Sequence, residues 1–308
     1  MKKIISVIII TVTVLCLFCS CGESAEKNRL SIVCSTFPQY DFAKNIAGER
    51  IDIRMLDSAS DIHSFEPTAA DLMTISEADL FIYIGGESDK WVSKAIESCG
   101  NPDLKAVSLM DCITAVDEET VEGMQSEEEE ESPEVDEHIW LSLRNAKLMA
   151  DYICENICAI DPENASIYKS NSDSYIQQLD VLDKKYAEVV STAKRKTVLF
   201  ADRFPFRYLV EDYGLEYYAA FSGCSAETSA SFQTVTFLIE KAKELKLPVI
   251  LVTESSDKSI AETVCKETGS KIGVMDSCQS VHAKQVKDGA DYFEIMAENL
   301  NVLKEALN

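Results

Sequence analysis

From Leu30 to the C-terminus, short apolar runs alternate with amphipathic stretches, and this alternation is the tightest constraint on the fold. Strands buried on both faces read as continuous apolar runs, and sheets built from them are covered by helices. Strands are predicted at Leu30–Thr36, Ile51–Leu56, Asp79–Ile84 and Lys105–Met110, with helices at Tyr40–Ala47, Ala69–Glu77, Asp89–Glu97 and Leu143–Ile157. Between Pro162 and Lys194 the apolar residues Ile167, Tyr168, Tyr175, Leu179, Leu182, Tyr186 and Val190 keep helical spacing. Pro162 suits a helix start and Asp161 suits a cap. The second half repeats the alternation: Thr197–Ala201, Phe206–Tyr213, Leu215–Ala220, Thr228–Leu245, Pro248–Thr253, Ser259–Thr268, Lys271–Met275 and Ala290–Leu307. The expected architecture is α/β: a lobe over 30–160, a linking helix over 161–195 and a second lobe over 196–308. In open parallel sheets ligands collect beyond the carboxyl ends of strands, so a cleft between the lobes is the expected binding place.

The N-terminus predicts export. Lys2 and Lys3 precede an uncharged apolar stretch, Ile4 to Phe18, too short for a transmembrane helix of about 20 residues. Leu17-Phe18-Cys19-Ser20-Cys21 resembles a bacterial lipobox with Phe18 in place of the usual Leu. Residues 1–20 are therefore expected to be a signal peptide, Cys21 the lipidated residue, and 21–29 a tether. The chain beyond Cys21 lies in the range, roughly 250–300 residues, where single cores give way to two.

With 53 acidic against 29 basic residues the formal charge is −24. Such a surface does not bind nucleic acid, which needs clustered Lys and Arg, whereas an acidic field enriches cations. The 11 cysteines contain no CxxC pair outside the export signal, against a zinc ribbon. Residues 117–137 are dense in acids and lack apolar periodicity, which predicts a solvated, mobile loop.

Candidate chemistry rests on few residues. His63 lies in the loop after the second predicted strand, and His138 lies where the acidic segment meets structured chain. Asp276 ends the strand Lys271–Met275. All three sit at the mouths of elements, where loops carry function. His282, in a polar stretch, reads as an ordinary surface residue. Enzyme motifs fail: His63 and Glu66 do not form HExxH. Gly223-Cys224-Ser225-Ala226-Glu227 lacks the final glycine of a nucleophile elbow, and GxGxxG is absent after Gly85-Gly86.

Several segments, in order, resemble one family. DIHSFEPTAAD is similar to the GxDPHxYEPTPSD signature of the cluster A-I metal-binding receptors of ABC importers, the zinc and manganese receptor lipoproteins. DEHIWLSLRNAKLMA resembles that family's DPHxWLDPxNA segment. FPFRYLVEDYGLEYYAAFSGCSAETSAS and LPVILVTESSDKSIAETVCKETGSKIGVMDS resemble its two later motifs. The resemblance implies two Rossmann-like lobes with parallel sheets, joined by one long rigid helix, with a metal cleft between them. Carried over by position, His63 and His138 become the first-lobe imidazole ligands and Asp276 the second-lobe carboxylate. The remaining family ligand falls at Arg203, which offers no lone pair. Glu227 is the leading substitute, with Cys224, Asp202 or a water as alternatives, while Arg203 would pair with Glu254 or another acid. The implied function is capture of Zn²⁺, with Mn²⁺ second, without catalysis. The implied partners are a permease and an ATPase, and the receptor is a monomer lipid-anchored at the outer face of a bacterial membrane. A surface adhesin or structural lipoprotein, or a receptor for another solute, each with a degenerate metal site, is the alternative. The acidic loop stands where zinc receptors often carry a His-rich one; it is read as a solvated tether or a loose concentrator of cations.

Overall fold

The computed structural model of this 308-residue chain describes residues 29–56, 62–125, 134–225 and 229–308. The export signal, Cys21, most of the tether, the Glu127–Glu131 run and Glu227 lie outside the described residues.

The first half runs β1 (Ser31–Cys34), α1 (Phe37–Ala47), β2 (Asp52–Met55), α2 (Ala69–Ser76), β3 (Leu80–Tyr83), α3 (Trp91–Cys99) and β4 (Lys105–Ser108). Helix α4 (Leu143–Ile160) and the long α5 (Ala165–Thr192) follow. The second half runs β5 (Thr197–Phe204), α6 (Arg207–Tyr213), β6 (Glu216–Ser222), α7 (Phe232–Leu245), β7 (Val249–Thr253), α8 (Ser259–Thr268), β8 (Lys271–Met275), α9 (Ala283–Lys287) and α10 (Tyr292–Ala306).

Among the described residues there are two four-stranded parallel sheets, ordered β2-β1-β3-β4 and β6-β5-β7-β8. The two orders are the same winding used twice. Each reverses direction beside its central strands, and the crevice at such a reversal, beyond the strand carboxyl ends, is where open α/β sheets hold ligands. The expected α/β two-lobe class is therefore the observed one. No helix among the described residues is long and apolar enough to cross a membrane.

Local chemistry sets the element ends. Helix α1 begins earlier than the periodicity suggests, because Thr36 and Gln39 form a capping box and Pro38 occupies the first turn. Strand β5 runs on to Phe204, past the predicted Ala201. Its pairing with β6 resumes after a register shift between Phe200 and Arg203.

The 28-residue α5 spans about 42 Å at 1.5 Å per residue. Its N-terminal half docks on the first lobe: Asn171 Nδ2 donates to Ile46 O at 2.9 Å, and Tyr175 Oη to Asp41 Oδ2 at 3.1 Å. Its C-terminal half docks on the second, where Tyr186 Oη donates to Met296 O at 2.7 Å and the ring stacks on Tyr213. Residues Ser31–Asn308 form one compact unit.

The acidic segment corrects an expectation. Its described parts are docked: Asp117 bridges Val135, Glu118 N donates to Glu134 O at 2.8 Å, and Gln125 N donates to Ala220 O at 3.0 Å. Asp136 and Glu137 are each 1% exposed. Backbone pairing and burial hold these described flanks in place, although composition alone reads them as solvated.

One buried acid yields a pH prediction. Asp41, on α1, accepts from Tyr175 and Asn45, while burial and then the charge of Asp291 push its pKa up to about 7. An unfolded aspartate titrates near 3.9. Folding therefore takes up a proton between these values, and stability falls as pH rises through that window. Asp41→Asn cannot titrate. Relative to wild type it should gain roughly 2–3 kcal/mol between pH 5 and pH 7, at about 1.4 kcal/mol per unit. Urea unfolding at both pH values measures this; parallel pH profiles would contradict it.

Candidate metal centre

Of the candidates of the sequence reading that the structure describes, His63, Cys224, Glu254 and Asp276 follow β2, β6, β7 and β8, Asp202 and Arg203 lie near the end of β5, and His138 precedes a 3-10 turn and helix α4. His63 sits in a 3-10 turn, Ile62–Ser64, after β2. Its Nδ1 lies 2.9 Å from Ser88 Oγ and 3.5 Å from Glu137 Oε2. Ser88, after β3, donates to Glu137 from both its hydroxyl and its backbone N–H, the latter at 2.7 Å. Burial would raise Glu137, but the hydrogen bonds from His63 and Ser88 outweigh it and hold the carboxylate below its ordinary range. Gly86 makes this packing possible. A Cβ there would stand 2.4 Å from Glu137 Oε1, and its φ of +93° suits glycine alone.

His138 is fully buried. Its backbone N–H donates to Asp136 Oδ1 at 2.8 Å, and its Nδ1 lies 3.1 Å from the same oxygen. Burial alone would lower this imidazole, but the charge and hydrogen bond of Asp136 raise it. With Nδ1 committed to the carboxylate as donor, Nε2 carries the lone pair. That Nε2 is buried and has no hydrogen-bond partner among the described residues. The His63 and His138 rings lie 5.3 Å apart, inclined at 60°. Each imidazole is thus oriented through Nδ1 by a carboxylate, directly or through a serine. Metal-binding histidines are commonly fixed in this way.

Beyond β6 the chain turns at Gly223-Cys224. A Cβ on Gly223 would meet the His138 ring at 2.9 Å and Phe204 O at 3.0 Å, so only glycine lets the turn lie against the imidazole. The ligand atoms of His63, His138 and Cys224 all lie within 4.8 Å of one another. Glu118, from the acidic segment, accepts the Cys224 backbone N–H at 2.8 Å. Burial, then the charges of Glu118, Asp136 and Glu137, push the Cys224 thiol up.

The other candidates have different company. Asp276 is not in this close group. Its Oδ1 accepts from Cys278 N at 2.7 Å, its backbone is clamped by Asn299, and burial followed by the charge of Glu254 pushes its carboxyl up to about 6. The Glu254 carboxylate takes the N–H and hydroxyl of Ser277, both at 2.8 Å. Asp202 accepts from the N–H and hydroxyl of Thr253 and so belongs to the second sheet. Arg203 stands partly buried near the end of β5. The two halves meet at Trp140, whose Nε1 donates to Ser277 O at 2.8 Å while its carbonyl accepts from Tyr292 Oη.

Sequence reasoning missed Ser88, Asp136, Glu137 and Glu118 as supports. The acids flanking His138 were visible as charge, but nothing in the sequence marked them as buried.

The chain matches the family model described as "Zinc-uptake complex component A periplasmic" over residues 32–306. It is 31% identical to the zinc-binding lipoprotein AdcA of Streptococcus pneumoniae serotype 4, over 99% of this chain and 61% of that one. It therefore spans about three-fifths of that relative's length. It is 30% identical to the high-affinity zinc uptake system protein ZnuA of Bacillus subtilis, over 94% of each chain. Among solved structures, the metal-dependent lipoprotein YcdH of Bacillus subtilis superposes with a TM-score of 0.77 at 30% identity, over 91% of this chain and 100% of that one. The Zn(II)-bound ZnuA-like domain of Streptococcus pneumoniae AdcA does so with a TM-score of 0.75 at 29% identity, over 91% and 99%. With the fold, the imidazole pair and a match running through both lobes, this chain belongs to the ZnuA family of zinc-uptake complex components.

Proposed function

We propose that this protein captures Zn²⁺ outside the cytoplasm and hands it to the permease and ATPase of an ABC importer, acting as a monomer anchored through Cys21. The supporting observation is the imidazole pair. Two nitrogens are brought together with their rings already locked by acids, so little side-chain entropy remains to be lost on binding. Neutral imidazole suits zinc and its first-row neighbours. The nearby charges of Asp136 and Glu137 favour a cation without consuming the donor nitrogens.

In this reading Asp276 is a second-lobe carboxylate donor and Glu227 a further one, the latter outside the described residues. Arg203 fills a position that cannot ligate and contributes positive charge instead. Glu254 holds the Ser277 turn in place rather than reaching the ion.

Zinc titration of the chelator-stripped full chain tests the proposal. A sub-micromolar site of one ion per chain is expected, and failure to load any divalent ion at that concentration would remove it. Asp276→Asn should weaken zinc by about tenfold, the lower range seen when a group supporting a metal site is lost. Wild-type affinity in that variant would take Asp276 out of the ligand set and leave the imidazole pair.

A further inference from the structure

We propose that Cys224, in the place given above to Glu227, supplies the third donor to the ion held by His63 and His138, so that a thiolate joins the imidazoles and the Asp276 carboxylate and thiophilic ions are selected over Mn²⁺. The inference rests on the receptor reading above and specifies the chemistry of its site.

Three independent features of the molecule converge on it. The sulfur and one nitrogen of each histidine form the group of His, Cys, Asp and Glu ligand atoms that comes within 4.8 Å among the described residues. A tetrahedral zinc with bonds of about 2.0–2.3 Å separates its donors by roughly 3.3–3.8 Å, so the three need draw in by no more than about 1.5 Å. Second, the fully buried His138, a member of this group, has an Nε2 without a hydrogen-bond partner among the described residues. A buried acceptor left bare is destabilising, and an ion shared with the thiolate would satisfy it. Third, the turn carrying the sulfur is held from both sides. Glycine at 223 lets it lie on the His138 ring, and the Glu118 carboxylate pins the Cys224 N–H. Cys224 has no competing covalent role, because all eight cysteines from Cys34 onward are free thiols.

The exchange balances simply. The sulfur–metal bond replaces the S–H bond, and the proton leaves to water. A sulfur donor changes which ions the site keeps. Thiolates favour zinc and softer ions such as Cd²⁺, whereas oxygen-rich sites suit Mn²⁺. The donor set also resolves the problem posed by Arg203: the place it leaves is filled from the neighbouring strand, since Arg203 pairs with Phe221 in the sheet and Cys224 follows three residues later.

The decisive experiment is cobalt loading of the stripped full chain, followed by zinc competition, for wild type, Cys224→Ser and Cys224→Ala. Wild type should show a sulfur-to-cobalt charge-transfer band in the near ultraviolet beside the visible ligand-field bands. Both variants should lose the charge-transfer band while keeping ligand-field absorption from the imidazoles. Zinc affinity should fall at least about tenfold in each and Mn²⁺ affinity by less than about threefold. Wild-type protein that loads cobalt with ligand-field bands but no charge-transfer band overturns the thiolate and leaves the receptor standing. Failure of wild type to load any of these ions overturns both. Because the wild-type spectrum alone decides the matter, a variant that misfolds does not protect the idea.

Discussion

His138→Ala is expected to lower zinc affinity by at least about a hundredfold. Loss of a group that merely supports a ligand costs about 10–100-fold, and this substitution removes the donor itself. It also leaves a cavity beside Trp140, whose ring lies 5.5 Å from the imidazole. Asp136 keeps its bond to the backbone N–H of residue 138 but loses the imidazole, so some stability is lost as well. The two effects separate if affinity is measured by chelator competition on protein shown to be folded by circular dichroism. His63→Ala should weaken zinc to a similar degree with a smaller loss of stability, since His63 is partly exposed. Wild-type affinity in folded His138→Ala would place the ion elsewhere and dismantle the site.

Trp140→Ala should destabilise the fold by about 3–5 kcal/mol, the usual cost of emptying a buried tryptophan position. Trp140 is 1% exposed. It packs against His138, and its indole N–H bonds across to the turn that carries Asp276. The milder Trp140→Phe fills most of the space but strands the Ser277 carbonyl, which should cost about 1–3 kcal/mol. Urea unfolding with unchanged slope would report both. A loss below about 1 kcal/mol for the alanine variant would mean that the seam between the halves does not depend on this residue.

The sequence carried the fold well because its buried strands are written in an unambiguous alphabet. Val249–Thr253 and Ser259–Thr268 end where apolar pattern and Gly269 say they should. Strand β5 defeated that alphabet. Asp202 and Arg203 look like a loop, yet the ladder continues through them because Asp202 finds Thr253 on the adjacent strand. Helix α9 was invisible for the opposite reason: it is five residues long and has no apolar face to advertise it.

At the site, the histidines were legible because the chain has only three and these two sit at the mouths of elements. Their supports were not. Ser88 reaches Glu137 across 49 residues and Glu118 reaches Cys224 across 106, distances at which no local pattern constrains pairing. The acidic segment misled for a related reason: a carboxylate is written identically whether it is solvated or pinned to a backbone N–H.

The long helix α5 has a thermodynamic consequence. Tyr175 belongs to the packing of one lobe and Tyr186 to that of the other, yet they lie three turns apart on a single rod. Neither lobe can melt without stripping buried aromatic surface from a helix the other still needs. Heat should therefore find one cooperative transition here, with both sheets lost together.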